Sequence, residues 1–211
     1  MDELEWAQNM TVELTTEIDP AWVPTILQLE YEASRPLYDF VFDTEAEARA
    51  AQRALFDAGA GEWVSPHGKA ALQDGELVGM IAGALTADLR NARLAAALAL
   101  TRAGVFDDAD VARRMQLGVG ALVQPEEGDY YYGVVGVTPA ARGTGVGVEI
   151  FELAYQQGRE SGATRALGQT LAGSRLVAYY TETGHYWVGE GKAADPKTGR
   201  ELHYKHFALQ L

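Results

Sequence analysis

The segment Val135-Gly136-Val137-Thr138-Pro139-Ala140-Ala141-Arg142-Gly143-Thr144-Gly145-Val146-Gly147-Val148 combines residue types and spacings that favour anion binding. An uncharged run, Tyr130 to Val137, leads into a glycine-rich turn, after which apolar residues recur at helical spacing through Val146, Ile150, Leu153 and Ala154. Backbone N–H groups at a helix start have no intrahelical acceptor, and the macrodipole adds partial positive charge there, so an anion such as a pyrophosphate is favoured. Gly143, Gly145 and Gly147 lack Cβ atoms, which lets the backbone approach phosphate oxygens and adopt positive φ. Arg142 adds a guanidinium fork at the same mouth.

Three kinds of phosphate cradle differ in spacing. The dinucleotide pattern G-x-G-x-x-G fails, because Val148 or Ile150 falls in its third glycine slot. The triphosphate pattern fails as well, since no lysine lies between Lys69 and Lys192. The pattern [RQ]-x-x-G-x-[GA] after a strand is met by Arg142, Gly145 and Gly147. On these residues the sequence resembles the GNAT superfamily of N-acetyltransferases. Ser174 to His185 resembles a second family segment, N-x-x-A-x-x-x-Y-x-x-x-G-F. Tyr180 and Gly184 keep its spacing, while Ser174, Val177 and His185 stand where Asn, Ala and Phe are usual. The tail, Gly189 to Arg200 before a last strand, is similar to the closing hairpin of these enzymes. The similarity is strongest over Tyr130 to Leu211.

The resemblance implies an acetyl-CoA co-substrate and direct transfer of the acetyl group, in a ternary complex, to a primary amine on a small molecule or a protein. Arg142, Gly143, Thr144, Gly145, Val146 and Gly147 would hold the pyrophosphate. The strand through Val135, Gly136 and Val137 would splay from its neighbour, pair with the pantetheine arm and supply an oxyanion donor. Ser174 would contact the cofactor, and Tyr180 would protonate the departing thiolate. Glu126, Glu127, Asp129, Glu62 and His67 are alternative bases, with none singled out. A non-catalytic acyl-CoA-binding module of the same fold is the alternative reading, and an unrelated nucleotide-binding domain is a more distant one.

Elements of several kinds must position this loop. Thr11 to Ile18 reads as a strand, Asp19-Pro20 opens a helix that Arg35-Pro36 interrupts, and Thr44 with Glu47 forms the capping box of a second helix. Glu62 to Leu72 and Leu77 to Leu85 read as a hairpin through Asp74-Gly75. Ala- and Leu-rich sequence between Thr86 and Gln124 gives helices at Asp88 to Thr101 and Asp108 to Leu117, a helical insertion between the third and fourth strands. Then follow a helix from Gly145 to Glu160, a strand at Arg165 to Thr170, a helix at Ser174 to Thr183, and strands at Tyr186 to Glu190 and Leu202 to Leu209. The expected architecture is a single GNAT-like α/β (α+β) domain over residues 1–211, with a mixed, mostly antiparallel sheet, helices on both faces and an insertion at about 86–124.

A net charge of -13 disfavours nucleic acid and could attract a cationic substrate. The chain has no cysteine, which excludes disulfides and thiolate sites. His203 and His206, three apart on a strand, point to opposite faces, so no metal is expected. His185 reads as a turn or core-edge residue. Met1 to Trp6 does not resemble a signal peptide and no run approaches membrane length, so no membrane contact and a cytoplasmic setting are expected. The edge strands and the insertion are compatible with a homodimer or with a lid.

Overall fold

A computed structural model describes residues 12–64 and 66–211. Among the described residues, seven strands form one sheet in the order β1-β2-β3-β4-β5-β7-β6. They are β1 (Val12–Thr15), β2 (Gly68–Gln73), β3 (Glu76–Leu85), β4 (Asp129–Val137), β5 (Arg165–Leu171), β6 (Tyr186–Ala194) and β7 (Glu201–Gln210). Every neighbouring pair is antiparallel except β4 and β5. The hairpin between β2 and β3 turns through Asp74 and Gly75, both at positive φ, as the dipeptide favours.

Six α-helices of the described residues cover the two faces: α1 (Val23–Val41), α2 (Glu45–Asp57), α3 (Thr86–Arg102), α4 (Ala109–Gly120), α5 (Val146–Glu160) and α6 (Leu176–Glu182). Two main apolar layers result. Ile26, Leu29, Phe40, Leu55, Met80 and Val134 belong to the layer beneath α1 and α2. Ile81, Tyr130, Tyr132, Ile150, Phe151 and Tyr180 belong to the layer beneath α5 and α6. Gly136 lets α1 sit close to β4, because a Cβ there would come within 2.8 Å of the Leu29 Cβ. None of the helices among the described residues is long and apolar enough to cross a membrane.

The caps fall where the side-chain chemistry places them. Thr44 and Glu47 exchange both hydrogen bonds of a capping box, and Asp108 accepts from the N–H groups of Asp110 and Val111. The insertion between β3 and β4 consists of α3 and α4, as the composition implies.

Three expectations need correction. Pro36 does not end the first helix. Asp19 caps a short 3-10 turn at Pro20–Trp22, and α1 then runs to Val41 with Pro36 inside it. Proline there removes one helical donor, but the following turn buries Tyr38, Phe40 and Val41, and the Tyr38 ring stacks on Tyr31 at 5.6 Å. Burial of that face outweighs the lost bond. The strand expected from Glu62 begins only at Gly68. Before it the chain turns back on itself, and a Cβ on Gly68 would collide with the Trp63 carbonyl. The first strand is shorter than the alternation suggests, since β1 ends at Thr15; Thr11 and the Met1 to Trp6 start lie outside the described residues.

Candidate active site

The site lies where β4 and β5 part. Their parallel pairing covers only Asp129↔Arg165, Tyr130↔Ala166 and Tyr131↔Leu167, although β4 continues to Val137 and β5 to Leu171. At the point of separation β4 carries a bulge: Ala82 faces Val134 and Gly83 faces Tyr132, which leaves Gly133 as the extra residue. A bulge bends its strand and increases the local twist. The β4 edge from Tyr132 to Val137 therefore faces β5 without a strand partner.

The glycine loop continues from this free edge. A 3-10 turn at Pro139–Ala141 leads to Gly143 at φ 82° and to Gly145 at φ 96°, the residue that caps α5. Side chains rarely adopt such angles, and a Cβ on either glycine would meet nothing within 4 Å. Conformation, rather than crowding, requires glycine here. The N–H groups of Gly143, Gly145, Val146 and Gly147 have no acceptor among the described residues, and Gly143, Thr144 and Gly145 are exposed. The result is a cluster of unpaired backbone donors at the start of a 15-residue helix, exposed at Gly143 and Gly145.

Arg142 is held at the rim. Its Nε donates to the Val137 carbonyl at 3.1 Å, and its Nη2 pairs with Glu32 of α1 at 2.7 Å. The loop, the end of β4 and α1 are tied together in this way. The Ser174 hydroxyl accepts from the Leu176 N–H at 3.1 Å at the start of α6, and Ser174 also lines the cleft.

Tyr180 projects from α6 into the aromatic layer, with ring centroids 4.9 Å from His185, 5.0 Å from Phe207 and 6.4 Å from Tyr132. It is 2% exposed, and burial pushes its phenol well above the ordinary range. His185 lies deeper than a turn residue. The Thr183 hydroxyl donates to the Tyr179 carbonyl, so it accepts from His185 Nδ1 at 3.0 Å, while Nε2 accepts from the Tyr155 hydroxyl at 2.9 Å. Burial lowers the His185 pKa and favours this neutral tautomer.

A cavity of 530 Å³ runs through the gap. One part is bounded by Val135, Phe151, Ser174 and Tyr180, and the other by α1, α2 and the insertion, including Arg93, Leu100 and Met115. The insertion is thus a wall of the cleft. Of the alternative bases, Glu62 lines the cavity and pairs with Arg93 at 2.6 Å. Asp129 and Glu126 are instead bound by Arg165 at the start of β4. Glu30 was missed from sequence. Its signal was a carboxylate on the apolar stripe of α1, four residues after Ile26. Arg93 lies mid-helix in the insertion and had no local signal.

His203 pairs with Glu190, whereas His206 faces the Ala121 carbonyl. No group of three or more acidic or histidine side chains suited to a metal occurs among the described residues.

The sequence matches the acetyltransferase (GNAT) family over residues 26–185. The chain belongs to this family. Its fold is shared by an N-acetyltransferase from Staphylococcus aureus Mu50, at 13% identity and TM-score 0.62, over 94% of this chain and 100% of the other. A ribosomal-protein-alanine N-acetyltransferase from Brucella melitensis aligns at 15% identity and TM-score 0.55, over 95% and 99% of the two chains. A Bacillus subtilis acetyltransferase in complex with CoA aligns at 11% identity and TM-score 0.51, over 96% and 99%. No curated protein sequence matches the chain. GNAT enzymes use acetyl-CoA as acyl donor, and the glycine loop of this GNAT chain presents unpaired N–H groups with Gly143 and Gly145 at positive φ.

Proposed function

We propose that this GNAT chain is an N-acetyltransferase that moves an acetyl group from acetyl-CoA to a primary amine by direct attack, both substrates being bound together. The observation that carries this reading is the unpaired β4 edge, with the glycine loop at its end and Tyr180 lining the same cavity.

Acetyl-CoA supplies an activated thioester. The N–H groups of Gly143, Gly145, Val146 and Gly147 bind its diphosphate, with Arg142 holding the loop in place through Val137 and Glu32. The β4 edge through Val135 and Gly136 binds the extended arm as an added strand would be bound, and Ser174 borders that arm. A β4 N–H stabilises the charge that develops on the carbonyl oxygen. The neutral amine attacks the carbonyl carbon, and the C–N bond forms as the C–S bond breaks; Tyr180 donates its proton to the departing sulfur, and the proton lost by the attacking nitrogen passes through water and restores the phenol. The phenol is protonated across the neutral range at its ordinary pKa, and burial raises that pKa further.

Thiol release from acetyl-CoA across a panel of amines tests the reading, with the CoA-induced shift in melting temperature as the binding readout. Turnover together with a shift supports it. A shift without turnover for any amine favours a non-catalytic acyl-CoA-binding module, and no shift removes the cofactor assignment.

A further inference from the structure

Glu30, Glu32 and Glu62 line the cavity, and two of them already have a cation. Glu32 pairs with Arg142 at 2.7 Å and Glu62 with Arg93 at 2.6 Å. Glu30 pairs with no cation among the described residues. It is 1% exposed, and its oxygens accept from the Tyr38 hydroxyl at 2.9 and 3.1 Å and from the Gln52 side-chain amide. These donors, with the Ser34 hydroxyl as a third, are neutral and leave the charge of the carboxylate uncompensated. Burial accordingly raises its pKa. A buried carboxylate without a counter-cation is costly to ionise unless a cation reaches it, and the cavity is the route by which one can.

The surrounding wall is mostly apolar, with Arg93, Gln169 and Thr170 as polar members. Leu37, Leu55 and Trp63 contribute from the α1 and α2 side, and Leu100, Phe106 and Met115 from the insertion. The volume of 530 Å³ must also admit the thioester end of the donor, which leaves room for a small acceptor only. A polyamine would need a second free carboxylate for its far ammonium, and both remaining candidates are paired. A polyhydroxylated amine would set most of its hydroxyls against the apolar part of this wall.

We propose that the acceptor is a small primary amine with an aryl or branched alkyl body, its ammonium group held by Glu30 and its apolar body by the wall that the insertion completes. This rests on the acetyl-transfer reading above and narrows it to a substrate class.

The experiment compares phenethylamine with spermidine, first as additives to the CoA-saturated protein in thermal melts and then as acceptors in thiol release, for wild type and Glu30→Gln. Phenethylamine is expected to raise the melting temperature beyond CoA alone and to give a kcat/KM at least tenfold above that of spermidine. Glu30→Gln is expected to raise the KM for phenethylamine at least tenfold and leave the CoA-induced shift unchanged. A preference for spermidine, or an unchanged KM in Glu30→Gln, overturns the substrate class while leaving acetyl transfer standing. If Glu30→Gln does not fold, the wild-type comparison of the two amines decides alone. Loss of the CoA shift in wild type would instead count against the acetyl-transfer reading.

Discussion

The proposed diphosphate end of the cleft is built from backbone, whereas the proposed acceptor end is built from side chains on several separate elements. At the first end, two positive-φ glycines and a helix start present N–H groups within a few consecutive residues. At the second, Glu30, Trp63, Arg93 and Met115 converge from α1, the turn before β2, α3 and α4. Backbone donors make a site that tolerates much sequence change provided the glycines remain. A side-chain wall can be changed one residue at a time, so donor binding and acceptor choice are separable in this molecule.

That separation can be broken experimentally. The largest effect is expected from Tyr180→Phe, which should lower kcat about 100-fold or more, as loss of a general acid does, and leave the CoA-induced melting shift intact. A normal kcat in this variant removes Tyr180 from the chemistry. Gly145→Val should act on the other end. Forcing a β-branched residue to φ 96° costs about 1–3 kcal/mol of strain, enough to weaken CoA binding by about tenfold or more by titration. The KM of the amine should stay constant, and a change confined to the amine would reverse the assignment of the two ends.

Gly136→Ala probes the seam between them. The added methyl would come within 2.8 Å of the Leu29 Cβ, and overpacking of this kind typically costs about 1–3 kcal/mol in a denaturant melt. The smallest effects concern pH. Asp195 is held well below the usual carboxylate range, first by its hydrogen bonds to Arg113, so its stabilising contribution is present above the ordinary value of 3.8 and lost as pH falls. Glu30 has the opposite sign. Burial raises its pKa, so its contribution is present below the ordinary carboxylate value and lost as pH rises through the folded one. Melting temperature against pH should therefore fall less steeply in acid for Asp195→Asn than for wild type, and should no longer decline towards neutral pH from this source in Glu30→Gln.

The same contrast explains what could be read from the sequence. The strand, glycine loop and helix from Tyr130 to Glu160 were legible because local backbone conformation and periodicity define them. The capping box of α2 and the Asp74-Gly75 hairpin were legible for the same reason. Pro36 misled because tertiary burial of Tyr38, Phe40 and Val41 overrides a local preference that ends most helices. Glu62 to Val64 was read as strand because its apolar residues pack without pairing. Arg93 and Glu30 meet the cleft only through the packing of α1 and the insertion, and three-dimensional convergence of that kind leaves little trace in residue spacing.

The most direct test of a diphosphate-binding glycine loop is to titrate CoA and pantetheine, which lacks the diphosphate, into wild type and Gly145→Val by calorimetry. Wild type should bind CoA far more tightly than pantetheine, and Gly145→Val should close most of that gap by losing affinity for CoA alone. Equal affinity of wild type for the two ligands would contradict the account.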